Sequence, residues 1–193
     1  MFRKMTTKDL KQTILDHSYK TLVKEGVLAI RMRDLANSCK CAVGTLYNVF
    51  ETFDDIHYHL NLRTFKTVFN RLFDTLKISD VPLEDVLPKI GWEYIAFAKE
   101  HTHGWKALFE YAPTGEQPNW YRDEVNAHFQ KAEEFLENKY DISSEMAERL
   151  ISYFWFSIHG VSSIVLNKKS TNHSDEFVES YVDHCLRGIY KLL

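Results

Sequence analysis

The sequence predicts an all-α fold of about nine helices, and three observations lead there. Only seven glycines and four prolines occur in 193 residues, too few for a sandwich of many short strands. Apolar residues recur at three- and four-residue spacing through nearly the whole chain. No convincing run of strict alternation marks a strand, and no internal repeat is visible. Hydrophobic residues make up 45% and charged residues 26%, enough for a core and for solubility, so disorder is not expected.

The elements follow in order. Leu10, Ile14, Ser18 and Leu22 form one stripe, with Leu15 and Tyr19 beside it. Thr6 or Thr7 suits the N-cap and Gly26 the left-handed position past the end, which gives a first helix over about 7–25. Two short helices are expected at about Met32–Ser38 and Val43–Val49, with Met32, Leu35, Ala36, Leu46 and Phe50 facing inward. The tight connection Cys39-Lys40-Cys41-Ala42 joins them. Two short amphipathic helices so joined, resting on a longer one, make a three-helix DNA-reading unit. Thr52 and Asp55 fit a loose capping pattern for a long helix to about Lys77. Pro82 suits the first turn of the next helix, which reaches about His101. A short helix over about Gly104–Tyr111 precedes a loop at Ala112–Pro118. The last helices fall at about 119–138, 143–168 and 174–192, with turns at Tyr140-Asp141 and Ser170–His173.

Charge is divided unevenly. Residues 1–50 carry nine basic and four acidic side chains, a balance of +5, while the remainder carries 15 and 23, a balance of −8. A basic first block on an acidic body places any polyanion contact at the N-terminal end. Three cysteines (Cys39, Cys41, Cys185) make no disulfide framework, and the opening MFRKMTTKDLKQ lacks the apolar stretch of a signal peptide. A reducing, cytoplasmic setting is the expectation. Leu150–Asn167 carries no Asp, Glu, Lys or Arg and reaches the lower limit of a membrane span. Five Ser and His residues interrupt it, so a helix covered on most sides, inside the chain or at a subunit interface, is expected and no membrane partner.

Arg31–Ile56, RMRDLANSCKCAVGTLYNVFETFDDI, closely resembles the helix-turn-helix signature of the TetR-family transcriptional regulators. Met32-Arg33-Asp34-Leu35-Ala36, Val43-Gly44-Thr45-Leu46-Tyr47 with Phe50, and Asp54-Asp55-Ile56 carry the likeness. Gly104–Glu110 and Phe154–Gly160 look like the family's sixth and eighth helices, so the resemblance covers nearly the whole chain. It implies a DNA-binding domain at 1–52 and a larger ligand-binding and dimerisation domain at 53–193. With Leu46 and Phe50 held against the first helix, Val43, Thr45, Tyr47 and Asn48 are free for the major groove. Gly44 permits close approach of DNA, at a helix-propensity cost of about 1 kcal/mol against Ala. Thr45 and Tyr47 supply hydroxyls suited to phosphate oxygens, Asn48 suits adenine, and Arg31, Arg33 and Lys40 add affinity through counterion release.

The reader departs from the family pattern at four positions, one of them Val49 in place of a frequent aromatic residue. Lys40 stands where the family usually has Gly; at positive φ it costs roughly 1 kcal/mol. Ala42 replaces the usual Ser cap, a loss of about 1 kcal/mol. Phe53 replaces a basic residue at the start of the fourth helix and cannot bind phosphate.

The body is rich in aromatic residues. Trp92, Tyr94, Trp105, Phe109, Trp120 and Trp155, with His159 one turn beyond Trp155, are the candidate lining of a largely apolar ligand pocket. The resemblance implies a homodimer through the last two helices. Ile151, Phe154, Ile158, Val161 and Val165 on one, and Phe177, Tyr181, Cys185 and Ile189 on the other, have spacing that suits it. The implied function is a regulator, most simply a repressor, released from a palindromic operator in double-stranded DNA by a small apolar or aromatic effector. No cofactor is implied.

Two rival readings remain. An interaction protein that kept the fold and lost DNA binding is motivated by Lys40, Ala42 and Phe53. An enzyme is disfavoured because no P-loop, GxSxG or HExxH pattern occurs. His57/His59 and His101/His103 point to different faces of a helix, so no metal site is expected. Cys39 and Cys41 read as packing residues before redox sensors.

Overall fold

The computed structural model describes residues 6–167 and 174–192, which form nine α-helices and one 3-10 turn, with no strand among them. The expected turn at Ser170–His173 lies outside the described residues. The described residues pack as two compact units, one within Met1–Lys66 and His103–Glu124, the other within Thr67–Thr102 and Val125–Leu193.

In the first unit, α1 (Thr7–Glu25) starts with a full capping box. The Asp9 N–H donates to Thr6 Oγ1 and the Thr6 N–H to Asp9 Oδ2, both at 3.1 Å. Leu10, Ile14, Ser18 and Leu22 are its buried face. The one polar member is satisfied on its own helix, Ser18 donating to the Ile14 carbonyl at 2.8 Å. Gly26 ends the helix at φ 91° and ψ 170°, a positive-φ but extended conformation outside the left-handed helical region. A Cβ there would also stand 3.2 Å from His103 Nδ1. A 3-10 turn at Val27–Ala29, which periodicity did not reveal, then leads to α2 (Met32–Ser38) and α3 (Val43–Tyr47). The third helix is two residues shorter than expected. α4 (Phe53–Ile78) opens with the anticipated cap: Thr52 N–H donates to Asp55 Oδ2 at 3.0 Å and Asp55 N–H to Thr52 Oγ1 at 3.2 Å. Ile14, Leu22, Leu35, Leu46, Phe50 and Ile56 are the heart of this unit's core.

The second unit is built round α5 (Leu83–Glu100), which packs against α8 (Ser144–Leu166) and α9 (Asp175–Leu192). Gly91 sets the spacing: a Cβ there would meet Leu186 Cδ1 at 2.6 Å and Val182 Cγ1 at 3.1 Å on α9, and Ile158 Cδ1 at 3.3 Å on α8. Pro88 lies inside α5 and leaves the Glu84 carbonyl without its i+4 donor. Arg187 of α9 takes that place, its Nη1 lying 3.4 Å from Glu84 O and 2.6 Å from Asp85 Oδ1. Lys139 of α7 (Asn119–Tyr140) closes the end of α4, with Nζ 2.9 Å from Leu76 O and 2.5 Å from Ser79 O. α6 (Thr102–Phe109) starts and stops two residues earlier than the sequence suggested.

Helix α8 corrects one expectation. It is long and apolar enough to cross a membrane by length and composition, yet only 17% of its most apolar window is buried within the chain. Ile158 of the expected interface stripe is 2% exposed and packs inward. Tyr153, Phe156 and Ile164 are its most exposed apolar residues, and Val161 and Val165 of the expected stripe line the same open groove as Phe156 and Ile164. Periodicity located the apolar faces but could not say which of two adjacent stripes α5 takes.

Candidate nucleic-acid interface

Helix α2 ends in a Schellman motif. Cys41 N–H donates to Ala36 O at 3.0 Å and Lys40 N–H to Asn37 O at 3.1 Å. That geometry requires positive φ at the residue past the cap, and Lys40 has φ 53°. A non-glycine therefore occupies a left-handed position, at a cost of roughly 1 kcal/mol. Ala42 begins α3 with no side-chain cap; its carbonyl still accepts from Thr45 N–H at 2.9 Å. Both predicted weaknesses of the turn are present.

Leu46 and Phe50 are buried, with 0% and 2% exposure, and hold α3 to the core. The opposite face is open. Tyr47 is 50% exposed, Asn48 is exposed, and nothing lies within 4 Å of where a Gly44 Cβ would stand. Thr45 is half-buried. Val43 departs from the sequence reading: three residues before Leu46, it shares that side of the helix and packs partly against the core. Arg31, Arg33 and Lys40 are exposed, and no described carboxylate pairs with them. Cys39 is buried, which pushes its thiol pKa up, and Cys41 packs against the same core, as suits inert packing residues.

The start of α4 carries a contact the sequence did not suggest. Asp54 Oδ2 accepts from Thr114 N–H at 3.0 Å, Thr114 Oγ1 at 2.9 Å and Gly115 N–H at 3.3 Å. Burial works against this carboxylate's charge, but those hydrogen bonds outweigh it and hold its pKa below the usual range. The loop after α6 is thereby fastened to the first turn of α4. Nearby His57 is fully buried, and desolvation lowers its pKa to about 4 against the pull of Asp54. Its Nε2 lies 2.8 Å from Asn61 Nδ2, while its Nδ1 has no partner among the described residues. Phe53 meets Tyr111 edge-on at 6.3 Å, which explains its apolar character at a position expected to be basic.

The candidate ligand residues separate into two groups. In the second unit, Tyr94 Oη lies 3.0 Å from His159 Nδ1, and Trp155 stands edge-on to Tyr94 at 5.7 Å and stacked on His159 at 5.7 Å. Trp92 is half-buried there, and Phe129, 6.2 Å from Trp155, joins the cluster. In the first unit, Trp105 is fully buried against Phe109, and Trp120, 37% exposed, stacks on His59 at 4.4 Å. Tyr94 and Trp105 are core positions in this conformation because neither exposes any surface to a ligand. Aromatic composition alone could not make that distinction.

A three-helix N-terminal unit followed by a helical body is the fold seen in solved structures of TetR regulators. The chain is similar to a TetR transcriptional regulator from Rhodococcus sp. RHA1, with a TM-score of 0.61 and 12% identity over 95% of this chain and 97% of that one. It is similar to the multidrug binding protein EbrR complexed with imidazole, with a TM-score of 0.60 and 14% identity over 91% and 93% of the two chains. A protein of unknown function, also from Rhodococcus sp. RHA1, shares the fold with a TM-score of 0.71 and 16% identity over 93% and 94%. No family profile matches the chain, and no curated protein matches it.

Proposed function

We propose that the chain is a TetR-family transcriptional regulator that binds a palindromic site in double-stranded DNA as a homodimer. The observation that carries this reading is the open face of α3, Gly44, Tyr47 and Asn48, flanked by Arg31, Arg33 and Lys40, which pair with no carboxylate among the described residues. Tyr47 and Thr45 serve phosphate contacts, Asn48 a base edge, and the three cations counterion release. The dimer forms through α8 and α9, where Phe156, Ile164, Phe177 and Tyr181 are 73%, 50%, 52% and 46% exposed around a groove of about 500 Å³. A small apolar or aromatic effector acts through Trp155, His159 and their neighbours. It lowers DNA affinity by its preference for a wider separation of the two readers, as a cytoplasmic repressor requires. The role is binding, with no catalytic step.

The test is retention of genomic DNA fragments across a salt series. A steep fall in affinity between 50 and 200 mM salt, roughly a thousandfold for six phosphate contacts, supports the reading. No retention even at low salt favours the second reading, an interaction protein with this fold. The strained Lys40, the uncapped Ala42 and the apolar Phe53 motivate that alternative.

A further inference from the structure

Beside the reader lies a cleft of about 390 Å³ that belongs wholly to the first compact unit. The first turn of α4 and the loop after α6 form it, and its wall combines two chemistries. Phe53, Tyr58 and Tyr111 present aromatic rings; Asp54, Asp55 and Glu116 present carboxylates. No described cation pairs with any of the three carboxylates. The neighbouring imidazoles offer no compensation, since burial holds His57 and His59 neutral at pH 7. Tyr58, only 7% exposed, lines the cleft, and its hydroxyl makes no hydrogen bond to the described protein.

We propose that this cleft binds a small organic cation with an apolar body, such as an aromatic quaternary ammonium. Aromatic faces attract a desolvated cation, and carboxylates with no described cation paired to them supply the opposite charge at the rim. A divalent metal is the poorer fit, because Asp54 Oδ2 and Asp55 Oδ2 already accept backbone N–H groups. The volume falls in the range of small-molecule sites. The site is independent of whether the chain binds DNA and is distinct from the Trp155–His159 cluster.

Isothermal titration of the full chain with benzyltrimethylammonium chloride tests this, with sodium chloride at matched ionic strength and neutral benzyl alcohol as comparators. Saturable binding of the cation that weakens with salt is expected, without matching binding of the alcohol. Glu116→Gln removes an exposed charge with no folding role, and Phe53→Leu removes an aromatic face; each should weaken binding about fivefold. Glu145→Gln, a surface change on α8, should leave it unaltered. Absence of binding, equal binding of benzyl alcohol, or an affinity untouched by both cleft substitutions overturns the proposal.

Discussion

Lys40 and Gly44 lie four residues apart and pose opposite problems. At φ 53° the Lys40 Cβ crowds its own carbonyl, so Lys40→Gly should raise stability by roughly 0.5–1 kcal/mol, read as a higher denaturant midpoint at unchanged m-value. The same change removes one cation and should make the salt dependence of DNA binding shallower by about one unit. Gly44 has open space around it, so Gly44→Ala should stabilise α3 by up to about 1 kcal/mol through helix propensity. In the proposed DNA complex the added methyl occupies room needed by the duplex. Stability and DNA affinity should therefore move in opposite directions, measured by urea denaturation and fluorescence anisotropy. His57 and His59 set the acid response. Burial lowers both from the ordinary 6.5 to about 4, so the unfolded chain binds their protons first. The stability they contribute is complete above about pH 6.5 and is lost as pH falls toward 4, with a slope approaching about 1.4 kcal/mol per pH unit for the buried His57 and a smaller one for the half-buried His59. His57→Leu should remove the larger part of that slope in denaturation curves taken between pH 7 and 4.5.

Helices here depend on partners supplied from elsewhere in their unit. Helix α5 tolerates Pro88 because Arg187 reaches the orphaned Glu84 carbonyl and Asp85 together. Arg187→Met keeps the aliphatic stem but leaves that carbonyl without its charged donor; a lower denaturant midpoint at unchanged m-value is expected in chemical denaturation. At Gly91 a methyl would collide with Leu186 and Val182. Gly91→Ala should thus cost about 1–3 kcal/mol although alanine is the better helix former, because close packing overrides propensity.

For the whole molecule, the outward apolar faces of α8 and α9 are the dominant exposed feature. Phe156 at 73% exposure is the most exposed aromatic ring on that surface. In the proposed dimer it inserts at the interface, so Phe156→Glu should give a single species near 22.7 kDa by sedimentation velocity, where the parent sediments as twice that mass. DNA affinity should fall with it, since one reader spans only half of a palindrome.

Residue order alone determined the helical class, the extent of α1 to the residue, the two short helices that follow it and the buried Leu46 and Phe50. Those features arise from contacts within a few residues, where the period of 3.6, a cap and a turn leave direct marks in the chain. The stripe that α8 turns outward, the burial of Tyr94 and Trp105, the partial withdrawal of Val43, the Asp54 anchor and the acidic aromatic cleft were decided by tertiary structure. Each joins groups distant in sequence, such as Asp54 with Thr114 or Pro88 with Arg187. Local periodicity fixes how side chains are arranged around a helix, but the neighbour that covers each face is chosen only when the helices pack.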